Sequence, residues 1–454
     1  MGPNRIRRAQ SKIILHRLEE AIKAWLKRRR ALDTRQQYST QLASIESLLK
    51  TIQCRLSKDF GHLDAASAPG EFYDSCARFD RRVVWLERLW RFFQAKFDQR
   101  DDSEFGPLLA AADEVVWSCY SQVFDRAKAL GLAVRTTPGP APLPFVESRY
   151  SPEAFPAELV PPDLKSEVEV GMLREHLNRM PAPVVRVPAS CAASPWWLVC
   201  LGHEVGHHIQ YDLLPDRKLV AGFRDSIEKA VEKKTGDTAE AQRWGGWSRE
   251  IFADMFSVFC MGPWAVWAMV ELEMNQPSIM SAPREDYPPP VTRLALLARA
   301  ADQATESTAG SDALRGMVAA APDGVADAVL GVALGELPGV GKTLPDLCDF
   351  DSADFSQTVP WWQDKFRRRT DETPSPHPRL ARLLTASAVG AWEKIAGGLT
   401  DAQLEDARAD LAGRYLDWTL KSAVEGERAG GLEADSVDSL AGRITDAMWS
   451  RTAD

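Results

Sequence analysis

Long apolar runs are missing from this chain. Nowhere do about 18 uncharged apolar residues follow one another, so no membrane-spanning helix is expected. Cysteine is sparse: its seven copies, at 54, 76, 119, 191, 200, 260 and 348, are odd in number and irregular in spacing. That excludes a disulfide framework and makes a reducing cytoplasm the simplest compartment. Most of them, Cys119 and Cys200 among them, sit in apolar helical patterns, where a free cysteine acts as a small hydrophobe. Surplus positive charge is lacking too. The 55 Lys and Arg face 64 Asp and Glu, for a net charge of -9, so neither nucleic acid nor an anionic membrane is expected as a partner. The first residues are basic (Arg5, Arg7, Arg8, Lys12), but Ile13 to Glu20 is too polar for the apolar segment of a signal peptide. No internal repeat and no long low-complexity tract is visible.

What is present suits a large packed core: 45% of the 454 residues are apolar and 26% charged. At about 150 residues per domain the length suggests two or three units. Residues 11 to about 130 read as helices. Leu15, Leu18, Ala21, Ile22, Trp25 and Leu26 form one helical face, and further helices are expected at 36–57, 70–98 and 107–130, the last stopping at Gly131. The third carries Val83, Val84, Leu86, Leu89, Trp90, Phe92 and Phe93 as a broad apolar face, and the basic run Lys27 to Arg30 reads as a solvated helix end. Prolines at 138, 140, 142, 144, 152, 156, 161 and 162 mark an extended or linking segment, followed by a helix over 166–180. Val184, Val185, Arg186 and Val187 then read as a short strand whose flanking prolines, 183 and 188, suit a sheet edge. Beyond 262 the chain reads as mostly helical, with loops near 275–290 and 335–378. The fold class is therefore mainly α with a small β component.

Histidine is scarce, seven residues in all, which makes the spacing of two of them informative. Ser194-Pro195 starts a helix by its N-cap serine and first-turn proline, and that helix carries Leu201-Gly202-His203-Glu204-Val205-Gly206-His207-His208-Ile209. Histidines four residues apart share a face and can grip one ion, and Glu204 is placed to exchange a proton with metal-activated water. Leu198, Gly202, Val205 and Ile209 face the other way, and the two glycines would admit a neighbouring element closely. Downstream, Ser248-Arg249-Glu250-Ile251-Phe252-Ala253-Asp254 puts two carboxylates on one helical face. Glu250 can complete the coordination, and Asp254 can accept the free ring N–H of a ligand histidine. His208 points elsewhere on its helix and is not counted as a ligand.

H-E-x-x-H followed by E-x-x-x-D on a second helix resembles the gluzincin metallopeptidases typified by thermolysin, over roughly residues 180–260. The resemblance implies one Zn²⁺ per chain held by His203, His207 and Glu250, with Glu204 as general base and acid in peptide hydrolysis. It also implies a substrate-binding edge strand at 183–188 and an oxyanion donor, for which Tyr287, Arg293 and His377 are the candidates. On this reading residues 1–132 are an N-terminal helical domain, 133–300 a zincin-like catalytic core, and 301–454 a C-terminal helical region completing or covering the cleft. The large remainder of the chain suggests a restricted protein or peptide substrate and a regulatory protein partner. The rival reading is a catalytically silent helical scaffold that keeps a zincin core for structure; hydrolysis of a non-peptide amide would use the same residues. Gly341-Lys342-Thr343 is not the end of a phosphate loop, because Glu336 stands where a glycine is required.

Overall fold

A computed structural model describes residues 3–136, 139–149, 151–155, 182–304, 324–370 and 372–424, with 428, 442, 445, 446 and 449. The helix expected over 166–180 and part of the proline-rich segment lie outside these residues. The fold is mainly helical with one small sheet. Among the described residues no helix is long and apolar enough to cross a membrane.

The chain divides into two compact units. The first contains α1 (Pro3–Leu32), α2 (Ser39–Gly61) and α3 (Pro69–Asp98), together with the described residues beyond 425. Its core follows the helical periodicity: Leu15, Leu18, Ile22 and Trp25 of α1 are buried, as are Ile45 and Ile52 of α2 and Phe79, Leu86 and Phe93 of α3. Val84, counted above on the apolar face, is exposed. The basic run at the end of α1 is ion-paired rather than merely solvated. Arg29 is buried with a contact of 2.7 Å to Asp98, Arg28 meets the same carboxylate at 2.9 Å, and Arg30 pairs with Glu46. Residues near the end of the chain return to this unit, where Trp449 lies under the guanidinium groups of Arg55 and Arg82. No sequence signal announced that return.

The second unit comprises residues 100–154 and 185–424. It takes in α4 (Phe105–Ala129), which the expected boundary at 132 had placed with the N-terminal helices. Nearly every face of α4 is buried, and it packs on elements far along the chain, which a one-sided amphipathic helix would not do. Residues 301–424 also belong to this unit instead of forming a separate region. Gly131, with φ +63°, ends α4 as expected.

The sheet has the order β1-β3-β2, with β1 Leu143–Glu147, β2 Glu153–Phe155 and β3 Val184–Pro188. The strand expected at an edge is therefore the central one. All five of its residues are buried, and its prolines fall outside or at the end of the ladder, where a missing N–H costs nothing. Arg186 holds both neighbours, Glu147 of β1 at 3.0 Å and Glu153 of β2.

The motif segment begins as a 3₁₀ turn, Pro195–Cys200, and continues as α5 (Leu201–Asp212). Ser194 makes no side-chain cap, so the expected α-helical start at that residue is corrected. Next come α6 (Lys218–Thr235), α7 (Thr238–Gly246), α8 (Ser248–Met261) and α9 (Pro263–Glu273). After them come α10 (Pro290–Ala304), α11 (Val325–Ala333), α12 (Val359–Arg368), α13 (Leu380–Ala396) and α14 (Asp401–Lys421). The helix α12 falls inside the expected 335–378 loop; Pro360 occupies its first turn, where proline starts a helix instead of breaking one.

The packing of α5 on α8 positions the site. A Cβ at Gly206 would stand 2.9 Å from Ala253 Cα, and one at Gly202 would stand 2.9 Å from Met261 Cγ. Only glycine permits this approach, and Ala253 lies three residues after Glu250. Gly206→Ala is expected to force the helices apart and destabilise the fold by about 1–3 kcal/mol. Denaturant melts of the variant check this; a parent-like midpoint would contradict it.

Candidate metal centre

The apolar side of α5, with Val205 and Ile209 fully buried, seats it on the core. That leaves His203 and His207 facing α8. Their Nε2 atoms are 3.1 Å apart, and Glu250 Oε2 lies 3.3 Å from one and 3.5 Å from the other. Three ligand atoms at about 2.0–2.1 Å from an ion, at tetrahedral angles, stand about 3.3–3.4 Å apart, so the spacing matches the edges of a zinc coordination tetrahedron. Glu250 Oε2 is buried and accepts no hydrogen bond of good geometry from a described residue. The donor set, two imidazoles and a carboxylate, is one that zinc accepts.

Behind the ligands runs a chain of charged groups. His203 Nδ1 lies 2.8 Å from Asp254 Oδ1, which fixes the imidazole with Nε2 toward the cluster. Arg293 clamps Asp254 from behind by two bonds of 2.8 Å, Nε to Oδ2 and Nη2 to Oδ1. Its Nη1 donates to Glu273 Oε1 at 2.9 Å, and Arg284 holds the other Glu273 oxygen at 2.7 Å. Arg293 is thus buried and engaged by Asp254 and Glu273, with its Nη2 also 3.9 Å from Glu250 Oε2, so its donors are not free as the expected oxyanion role would need. It supports Asp254 instead.

The electrostatics favour a cation at the centre. Burial opposes a charge on His203, yet the facing carboxylates, Asp254 at 2.8 Å and then Glu250 at 3.3 Å, prevail and raise its pKa to about 10. Burial likewise pushes Glu250 upward, but the facing histidines, His207 first, hold it far below the usual carboxylate range. Asp254 is lowered against its own burial chiefly by Arg293. Glu204 is different. Burial dominates there and raises its pKa, opposed by His203, His207 and a backbone hydrogen bond from Ala154 on β2.

Of the expected site residues, His203, Glu204, His207, Glu250 and Asp254 are brought together. Tyr287 joins them. Its partly exposed ring lies 5.2 Å from the Arg293 guanidinium, and its hydroxyl pKa is raised by burial and then by Glu250 and Glu204. His377 does not. It is exposed at the start of α13, where its Nδ1 accepts from the Arg379 N–H at 3.3 Å and its own N–H donates to the Ser422 carbonyl at 3.1 Å. Prolines on both sides set this turn, and His377→Ala is expected to leave zinc content unchanged and stability within about 0.5 kcal/mol of the parent. A drop in bound zinc on elemental analysis would contradict that. His208 is fully buried, on a different side of α5 from the ligands.

Sequence reasoning missed Glu273, Arg284 and Ala154. Two acids, Glu271 and Glu273, closing the otherwise apolar helix Pro263–Glu273 were the one available hint. Searches against protein-family models, curated proteins and solved structures return no match for the chain.

Proposed function

We propose that the protein is a zinc metallopeptidase of the thermolysin-like kind, with His203, His207 and Glu250 as ligands of one Zn²⁺ and Glu204 as general base and acid. The observation that carries this reading is the convergence of three ligand atoms, at tetrahedral-edge spacing, beside a buried carboxylate on the same helix. Zinc held there would supply Lewis acidity toward water and toward a peptide carbonyl. Glu204 takes the proton from the attacking water and later delivers it to the departing amine; its burial-raised pKa suits both tasks. The Ala154 N–H holds that carboxylate in place. Tyr287 offers the hydroxyl that stabilises the developing oxyanion. Among the described residues β2 lies at the sheet edge next to Glu204, so its outer backbone groups are the place for an extended peptide to pair. The substrate is a protein or peptide, restricted by the helical surroundings or by a regulatory protein partner. All seven cysteines are free, which is consistent with work in the reducing cytoplasm.

Elemental analysis of the purified protein tests the reading. About one zinc per chain, lost in His203→Ala, is the expected result, together with zinc-dependent cleavage in a mixed peptide library. A parent that takes up no zinc after reconstitution would favour the silent helical scaffold.

A further inference from the structure

Away from the metal cluster, four side chains meet in the core of the second unit. They are Cys119 on α4, Cys260 near the end of α8, Cys348 just after the helical turn Leu344–Leu347, and Arg382 in the first turn of α13. All three sulfurs are fully buried, and Arg382 is 2% exposed. A guanidinium cannot shed its charge in a protein, so a buried one requires a counter-charge. Among the described residues Arg382 forms no ion pair with a carboxylate. Its Nη2 donates to the Cys348 carbonyl at 3.1 Å, its Nη1 faces Cys260 Sγ at 3.8 Å, and its Nε has no hydrogen-bond partner. Asp354, which acts on it from further away, is paired with Arg379 at 3.2 Å.

Cys260 is the middle of the group. The thiols of Cys119 and Cys348 act on the same sulfur that Arg382 Nη1 faces at 3.8 Å, so two thiols and one cation surround Cys260. Burial works against ionising Cys260, but these neighbours outweigh it and hold its pKa well below that of an ordinary thiol. The same burial, with Cys260 as the acceptor, pushes Cys119 and Cys348 upward and keeps them protonated. Among the described residues the three sulfurs do not form a mutually close group of the kind His203, His207 and Glu250 make, which argues for thiol chemistry over metal binding.

We propose that Cys260 is a buried thiolate, the counter-ion of Arg382, and that with Cys119 and Cys348 it forms a redox-modification site for a small hydroperoxide such as hydrogen peroxide. The thiolate sulfur attacks one peroxide oxygen, an S–O bond forms, the O–O bond breaks, and hydroxide leaves with Cys260 as a sulfenic acid. The thiol of Cys119 or Cys348 then attacks the sulfenic sulfur. An S–S bond forms, the S–O bond breaks, and the thiol proton leaves with the hydroxyl as water. Two sulfurs lose two electrons in total, and the peroxide is reduced to one hydroxide and one water. A small neutral oxidant reaches the site through local openings of the fold. Oxidation also removes the negative charge opposite Arg382, so the oxidised protein melts at a lower temperature than the reduced one.

The test is a hydrogen peroxide titration of the reduced full-length protein, followed by mass spectrometry of the intact chain and its peptides. The expected result is a loss of two hydrogens and a cross-linked peptide pair containing Cys260, absent from Cys260→Ser and formed about tenfold more slowly in Arg382→Met. Should Arg382→Met fail to fold, the ultraviolet difference spectrum of the parent against Cys260→Ser decides, with one thiolate band per chain expected at neutral pH. The proposal is overturned if that band is absent. It is equally overturned if Cys260 stays reduced while exposed Cys54 is oxidised, or if a folded Arg382→Met reacts as fast as the parent.

Discussion

Glu204→Gln is expected to retain about one zinc per chain while peptide hydrolysis falls by roughly 10²–10⁴-fold, the usual worth of a positioned general base. The substitution keeps the shape and one acceptor oxygen, so the Ala154 N–H retains its partner. It removes the only property the reaction needs from this side chain, the ability to hold and release a proton. Glu204 is 5% exposed, and exchanging a buried carboxylate for an amide lifts a desolvation cost, so stability should hold or rise. A large loss of rate in a protein at least as stable as the parent separates chemistry from folding. Paired measurements of zinc content, thermal melt and cleavage rate check it. An unchanged rate would remove Glu204 from the reaction and, with it, the reading of the H-E-x-x-H segment as a peptidase motif.

The local patterns were the most legible part of the sequence. Helical periodicity marked α1 to α3, because one-sided amphipathic helices advertise their buried face, and glycine marked the stop at Gly131. The i, i+4 pairs of α5 and α8 were legible for the same reason: a helix fixes which residues share a face, so His203 with His207 and Glu250 with Asp254 needed no tertiary knowledge. What failed was information held between elements. A strand with prolines at both ends looks like an edge, and only pairing partners on each side reveal β3 as central. The buried, all-round apolar α4 gave no sign of which core it belonged to. Arg293 illustrates the limit best. Its position after a proline-rich turn suggested a polar group near the cleft, and it does lie near the centre. Whether it points at the substrate or at the back of Asp254 depends on the crossing of α8, α9 and α10, which no local pattern encodes.

That orientation makes Arg293→Met the substitution with the largest expected effect on the folded state. Methionine approximates the length of the arginine stem but removes a buried cation that faces three carboxylates, Asp254 by a double bond pair, Glu273 by a single one and Glu250 at 3.9 Å. Glu273 keeps Arg284, at 2.7 Å, as a partner. Among the described residues Asp254 keeps His203 alone, and a buried carboxylate deprived of its cation costs about 3–5 kcal/mol. In the apo protein the His203 imidazolium, its pKa already raised to about 10, is left as the counter-charge of Asp254 and holds its proton more tightly once Arg293, which lowers that pKa, is gone. That proton occupies the nitrogen zinc would use. Zinc affinity is therefore expected to fall by about 10–100-fold, the scale typical of lost support behind a metal ligand. Arg293→Lys restores the charge but not the two-pronged grip, so it should recover more of the stability than of the affinity. Denaturant melts of the apo proteins and zinc competition titrations of all three chains measure the two effects separately. Parent-like affinity in Arg293→Met, with stability lost, would show that Arg293 braces the fold around α8 without positioning His203.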